Sequence, residues 1–285
     1  MLVAALSLLR LISILLTTGV AQKIVLTNDD SWATNYIRAQ FEALDAAGFQ
    51  VVLSAPALDK SMSGAMTAHP KILTQESRLN WVNAFPVDAV SVGIETVMPR
   101  MFGGLPDFVV SGPNIGNVMG SIAPSGTVGA ACEAVLEGIP AIAVSGGLTR
   151  GLTFGYTTLD DPDLQLTTNL VKALVAGRIR PLLRPNISIN VNYGNVLDTD
   201  CLNVSNWKWV ATRLIPAPTI TDLQPPCLLL HMPAEATVQA TAGCWATVSV
   251  IDARTKLDES NATEVTAVLD RLFLGGLTFS CQSFT

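Results

Sequence analysis

Charge is scarce in this sequence. Only 14% of its 285 residues are Asp, Glu, Lys or Arg, and 17 basic residues face 23 acidic ones. The formal net charge of −6 leaves no basic footprint for holding a nucleic acid polymer. Histidine is scarcer still: His69 and His231 are the only two, too few for a histidine phosphatase or a zinc triad. The five cysteines contain no CxxC spacing, which removes a cysteine zinc site. A P-loop, a GxGxxG turn and a GxSxG elbow are also missing, and with them the dinucleotide-binding and serine-hydrolase readings that rest on those signatures. Apolar residues, by contrast, make up 49% of the chain, enough for one large core. No repeat, low-complexity tract or flexible linker divides residues 22–285.

Residues 1–21, MLVAALSLLRLISILLTTGVA, form an apolar run with Gly19 and Ala21 placed before a cut ahead of Gln22. This is the pattern of a secretory signal peptide, with a signal anchor as the alternative because Arg10 interrupts the run and a basic start is missing. The expected protein is therefore secreted, with no stable membrane anchor. Thiols pair in an oxidising compartment. Cys132 stands alone in a helical pattern, whereas Cys201, Cys227, Cys244 and Cys281 share the last third and allow three connectivities. Sequons at Asn186, Asn203 and Asn261 agree with the extracellular route, and Asn186 is the weakest because it adjoins a strand.

Strand and helix patterns alternate after residue 22. Strands are expected at 24–27, 51–54, 107–110, 141–144 and 187–191. Helices are expected over 36–47 with a stop at Gly48, around Val90, Ile94 and Val97, around Val128, Cys132 and Val135, and after Asp160, Asp161 and Pro162. Such alternation specifies an α/β fold, a mostly parallel sheet wrapped by helices. From Cys201 to about Val250 the texture changes to Pro, Thr and short apolar runs, read as hairpins and loops. Val265, Leu269 and Leu272 mark a closing helix. The domain thus divides into a core at 22–195 and a β-rich elaboration at 196–285.

Ligands of open parallel sheets gather beyond the carboxyl ends of the strands. The first strand empties into Asn28, Asp29 and Asp30. The second runs into SAPALDKSMSG with Asp59, Lys60, Ser61 and Ser63, and the third into SGPNIGNVMG with Ser111, Asn114 and Gly116. Carboxylate, hydroxyl and amide oxygens are hard ligands that suit Mg²⁺ or Mn²⁺. Ser125, Gly126 and Thr127 open a helix whose amides can hold an anion. The competing reading of Asn-Asp-Asp-Ser is a turn and helix cap. Acidic pairs after a first strand also occur in response-regulator receivers and, as DxD, in haloacid dehalogenase-like phosphatases. Lys60 reads as a solvated lysine, Asp88 in FPVDAV as a helix-start residue, and each histidine as surface or packing.

Four segments, VLTNDDSW, SAPALDKSMSG, FPVDAV and DFVVSGPNIGNVMGSIAPSGTVGAACEAVLEGIPAIAVS, resemble in order and spacing the SurE family, the survival-protein-E-like phosphatases and nucleotidases. The similarity is strong over 23–145 and weaker in ISINVN and VSVIDARTKLD. The chain looks like a secreted fungal-type member. The resemblance implies a Rossmann-like core and a metal-dependent phosphomonoester hydrolase. It would be a 5′/3′-nucleotidase or acid phosphatase acting on nucleoside monophosphates or other small phosphate esters, assembled as a homodimer or tetramer. It places the metal on Asp29, Asp30, Ser61 and Asn114, makes Asp29 and Asp30 catalytic with Asp29 also assisting proton transfer or attack, and leaves Asn28, Ser63, Gly116, Ser125, Gly126 and Thr127 for the substrate. Three departures stand out. Ser31 replaces the usual Gly. Ser61 is separated from Ser63-Gly64, where bacterial members join Ser to Gly, so Ser63 stays open as the ligand. The family's second loop asparagine falls on Val118, with Asn117 one position early. The alternatives are a receiver-like or haloacid dehalogenase-like phospho-aspartate protein, and a secreted binding module that has lost turnover.

Overall fold

The computed structural model describes residues 21–68, 72–73, 77–147, 161–176, 180–194, 199–217 and 231–284. Residues 1–20 of the expected signal peptide, His69 and Cys227 lie outside the described residues.

Ile24, Val25 and Leu26 are all 0% exposed in β1 (Lys23–Thr27). Side chains alternate across a strand, so Ile24 and Leu26 enter the apolar layer on one face and Val25 the layer on the other. A strand covered on both faces reads as a continuous apolar run. The same holds for β2 (Gln50–Pro56). After β3 (Ile72–Leu73) and β4 (Leu79–Val82) it recurs in the first half of β5 (Phe108–Ile115) and in β6 (Ala141–Gly146), whereas β7 (Ile187–Tyr193) alternates apolar residues with the buried polar Ser188, Asn190 and Asn192.

Helices cover both faces. On one side lie α1 (Asn35–Ala46), with Ile37, Phe41 and Leu44 inward, and Gly48 just past its end at φ 92°, a conformation that favours glycine. On the other lies α2 (Pro86–Val92), which passes through a π-helical turn, Gly93–Val97, into α3 (Met98–Phe102). One helix was expected here. Pro99 has no amide to donate to the Glu95 carbonyl, and the wider turn absorbs that missing bond. Asp88 closes the start of α2 by accepting from the Phe85 N–H (3.2 Å), the helix-start role expected of it. α4 (Gly126–Leu136) packs beside α2, whereas α5 (Pro162–Ala176) joins the α1 layer.

The last third departs from the expected hairpins. β8 (Lys208–Thr212) runs parallel to β9 (Trp245–Asp252), joined through a crossover that includes α6 (Glu235–Gln239). β9 is antiparallel to β7 over seven residue pairs, β10 (Leu257–Asp258) folds back on β9, and α7 (Ala262–Leu274) returns to the α1 layer. The elaboration therefore extends the main sheet, whose order is β10-β9-β7-β6-β5-β1-β2-β4-β3 with β8 on β9. The chain moves outward from β1 through β2, then returns to β5 on the other side of β1. That reversal opens the crevice in which α/β folds of this type bind their ligands.

Cys201 pairs with Cys244, Cα atoms 5.3 Å apart, and Cys281 is also disulfide-bonded. Cys132 is a free, buried thiol that burial pushes up to about 12, which makes it unreactive. The Cys201–Cys244 bond spans 43 positions. Cutting it in a Cys201→Ser/Cys244→Ser variant is expected to lower unfolding stability by about 4 kcal/mol on the chain-entropy estimate. Urea denaturation of oxidised wild type against the variant checks this.

Candidate active site

The two aspartates that follow β1 do not cap the next helix. The N-cap of α1 is Thr34, with no side-chain cap bond. Asp29 instead faces the start of a different helix, α4. The Thr127 N–H donates to its Oδ2 (3.1 Å) and the Thr127 hydroxyl to its Oδ1 (2.6 Å). Ser125 is the N-cap of that helix, its Oγ accepting from the Val128 N–H (3.2 Å). The positive end of the α4 dipole thus meets a carboxylate that is 3% exposed. Burial pushes the Asp29 pKa up, and the two Thr127 bonds oppose the rise. Asp30 is anchored once, its Oδ2 accepting from the Ile115 N–H (2.9 Å). Burial first, and the Asp29 charge second, push its pKa up to about 7.

The β2 loop is brought against the same point, since the Lys60 N–H donates to the Asp29 carbonyl (2.7 Å). Ser61 is exposed, its hydroxyl and its N–H both donating to Asp59 Oδ1 at 2.7 Å. Ser63 is buried and its hydroxyl has no hydrogen-bond partner among the described residues; a Cβ on Gly126 would lie 2.8 Å from Ser63 Oγ and 2.9 Å from Asp29 Oδ2. Ser61 therefore opens to the cleft while Ser63 sits behind it, against the start of α4. Gly129, a turn further on, has no room for a Cβ, which would overlap the Gly64 carbonyl oxygen. Lys60 turns its ammonium over the Phe85 ring, 5.4 Å from the centroid.

The third donor loop leaves β5 through a bulge between Ser111 and Asn114 that re-aims the strand end. The Asn114 amide donates to the Gly116 carbonyl (2.7 Å), which leaves its Oδ1 as an acceptor. Asp29, Ser61, Asn114, Gly116 and Ser125 line one cleft of about 340 Å³, with Met62, Val118 and Met119 as its apolar wall. Gly126 and Thr127 serve the packing and holding of Asp29. Asn28 is buried and donates to the Ser31 carbonyl (3.3 Å), shaping the turn. Ser31 has φ 93°, a conformation that favours glycine; its hydroxyl donates to the Ala57 carbonyl (3.0 Å) and offsets part of the backbone strain.

Among the described residues no three His, Cys, Asp or Glu side chains gather as metal ligands. The set here is of another kind, two carboxylates with a hydroxyl and an amide oxygen. Among the described residues neither Asp29 nor Asp30 makes an ion pair, and Asp59 adds to the repulsion both feel. Hard oxygen donors with uncompensated negative charge fit a divalent cation. Sequence reasoning missed Asn192, whose Oδ1 accepts from the Val118 N–H (2.7 Å) and Asn117 Nδ2 (3.4 Å). Asn117 also donates to the Tyr193 carbonyl (2.8 Å), so it braces the loop against β7. The available signal was polar residues alternating within the buried strand ISINVN.

Two outcomes follow from this geometry. Gly129→Ala must displace the loop that carries Ser61 and Ser63, so a folded variant is expected to show that loop shifted in a crystal structure while its melting temperature moves by only a few degrees. The acid groups set a pH dependence. A carboxyl whose folded pKa lies above its unfolded value favours the fold below the unfolded pKa, and that contribution is lost as pH rises through the folded value. For Asp30 the window runs from about 4 to about 7. Metal-free protein is therefore expected to melt lower at pH 8 than at pH 5, and Asp30→Asn to flatten the difference, as read by scanning calorimetry in EDTA.

The profile of the family described as Survival protein SurE matches residues 24–214. The chain is 46% identical over 127 residues to "5′-nucleotidase SurE" of Geobacter metallireducens, a match covering 43% of this chain and 48% of that protein. It is 31% identical over 233 residues to "Acid phosphatase" of Yarrowia lipolytica, covering 70% of this chain and 64% of that one. The chain thus spans between about half and two thirds of the length of these relatives. Its fold is similar to the crystal structure of the SurE protein from Aquifex aeolicus, with TM-score 0.58 and 22% identity over 86% of this chain and 98% of that one. On the profile match, which takes in most of the chain, this chain belongs to the SurE family.

Proposed function

We propose that the chain is a metal-dependent phosphomonoester hydrolase acting on nucleoside monophosphates or related small phosphate esters. The observation that carries this reading is the convergence of Asp29, Ser61 and Asn114 on one cleft, with Asp30 beside it, at the reversal of strand order. The relatives named 5′-nucleotidase and acid phosphatase support the same class. Asp29, Asp30, Ser61 and Asn114 would hold the ion, Mg²⁺ or Mn²⁺. When bound, such an ion neutralises phosphate charge and lowers the pKa of a water.

The protein's own contributions are positional. Thr127 engages both Asp29 oxygens with one hydrogen bond each, which suits a carboxylate that holds rather than one that forms a bond to phosphorus. Asp29 lines the cleft and each of its oxygens keeps acceptor capacity beyond its Thr127 bond, which supports giving it the contact with the attacking water. Met62, Val118 and Met119 offer an apolar wall for a leaving group such as a nucleoside. Secretion is part of the proposal, supported by the apolar leader, by the Cys201–Cys244 bond, and by the exposure of the sequon residues Asn203 and Asn261. Among the described residues no helix is long and apolar enough to cross a membrane. A homodimer or tetramer is proposed on the exposed Phe273 and Leu274 at the end of α7.

A phosphate-release screen over nucleotides, sugar phosphates and p-nitrophenyl phosphate with each divalent ion tests the activity. Turnover is expected to require Mg²⁺ or Mn²⁺ and to fall about a hundredfold or more in Asp29→Asn and in Asn114→Ala, the scale of losing an oriented charge-stabilising group. Folded wild type without activity on any ester with any ion would sink the reading.

A further inference from the structure

Glu235 opens α6 and is 0% exposed, far from both aspartates in sequence. A carboxyl in such surroundings is costly unless polar partners compensate it. Its Oε1 accepts from Asn190 Nδ2 (2.9 Å) and Asn192 Nδ2 (3.4 Å), both on β7 and both fully buried. The same two Nδ2 groups each donate to the Val118 carbonyl at 2.9 Å. The other end of the Asn192 amide accepts from the Val118 N–H at 2.7 Å.

Donor and acceptor inventory gives this arrangement a direction. An amide NH₂ has two hydrogens and no acceptor capacity, and the Oε1 of Glu235 only accepts. With that acceptor present, both asparagines must turn NH₂ toward it, which aims their second hydrogens at the Val118 carbonyl and the Asn192 oxygen at the Val118 N–H. Without it, Asn190 keeps only one of its two donated bonds and Asn192 keeps its pair to Val118 but loses the anchor behind it, so the two amides are no longer tied together and the hold on Val118 slackens. Burial pushes the Glu235 pKa up to about 8, while the Ser249 hydroxyl, the Asn190 amide and the Gly120 N–H oppose the rise. The Oε1 accepts in either protonation state. Asn117, Val118 and Met119 form a wall of the cleft.

We propose that Glu235 is a positioning residue of the active site: by orienting Asn190 and Asn192 it fixes the backbone of the 117–120 loop against the cleft. The proposal rests on the hydrolase reading for its effect on turnover, though not for its effect on the loop. It also gives the C-terminal third a part in the site, since α6 acts through β7 on the loop that walls the cleft.

The test compares wild type, Glu235→Leu and Glu235→Gln by hydrogen–deuterium exchange and by hydrolysis of 5′-AMP and p-nitrophenyl phosphate with Mg²⁺ or Mn²⁺. In Glu235→Leu, peptides covering 115–121 are expected to exchange at least about tenfold faster, with β1 and α4 peptides unchanged. Its kcat/KM is expected to fall about 10- to 100-fold, the usual scale for losing an outer orienting partner. Glu235→Gln, which keeps the Oε1 acceptor, restores most of both. Should Glu235→Leu fail to fold, Asn190→Ala removes one of the two relays and gives the same loop-specific change at smaller size. A folded Glu235→Leu with wild-type exchange at 115–121 overturns the proposal, as does faster loop exchange with unchanged kcat/KM. If wild type hydrolyses no ester, the hydrolase reading fails, and exchange alone decides whether Glu235 positions the loop.

Discussion

The pairing of Asp29 with the start of α4 is the contact on which the rest of this site depends. A strand end and a helix start are distant in sequence, and one residue, Thr127, joins them through its N–H and its hydroxyl. Two charges need managing there. The carboxylate is buried and resists ionisation, and the helix start carries orphan N–H groups. Each answers part of the other's need. Asp30, with one hydrogen bond and a negative neighbour, keeps the larger uncompensated demand, reflected in its rise to about 7. A cation between the loops would meet that demand, so the acidic pair makes physical sense as a binding device and little sense as a turn.

Close packing makes the convergence possible. α4 is rich in small residues, and at Gly126 and Gly129 the β2 loop approaches so closely that no side chain fits. The loop carrying Ser61 is thereby laid over the helix that holds Asp29. On the far wall the glycine-rich loop after β5 depends on buried asparagines of β7, which in turn depend on α6. Strand order assembles these pieces: β5 and β2 flank β1, so the three loops leave the sheet side by side.

Much of this was legible in the sequence. The apolar run of β1 and its abrupt polar end, the 3.6-residue spacing of Ile37, Phe41 and Leu44, and the Gly48 stop specify strand and helix without ambiguity, because both faces of the sheet are covered. The residues that line the cleft were legible as polar side chains beyond the apolar part of each strand, although Asn114 lies within β5, past its bulge. What was not legible depends on tertiary geometry. The cap reading of Asp29 named the wrong helix, since nothing local shows that α4 lies opposite. Counting from Ala55-Pro56 favours Ser61 over Ser63, but their difference in burial, Ser61 exposed and Ser63 buried, is set by the approach of α4 and is not written in the loop. The parallel course of β8 was hidden because its crossover reads as irregular, and the pairing of Cys201 with Cys244 could not be chosen from three equal possibilities.

The central claim is that Asp29, Asp30, Ser61 and Asn114 form one hard-cation site at the carboxyl ends of β1 and β5. Anomalous scattering from a crystal grown with Mn²⁺ addresses it directly. A single strong peak is expected within coordination distance of oxygens from these four residues, lost in Asp29→Asn crystals. A peak elsewhere, or none in crystals of an enzyme that turns over with Mn²⁺, would contradict it.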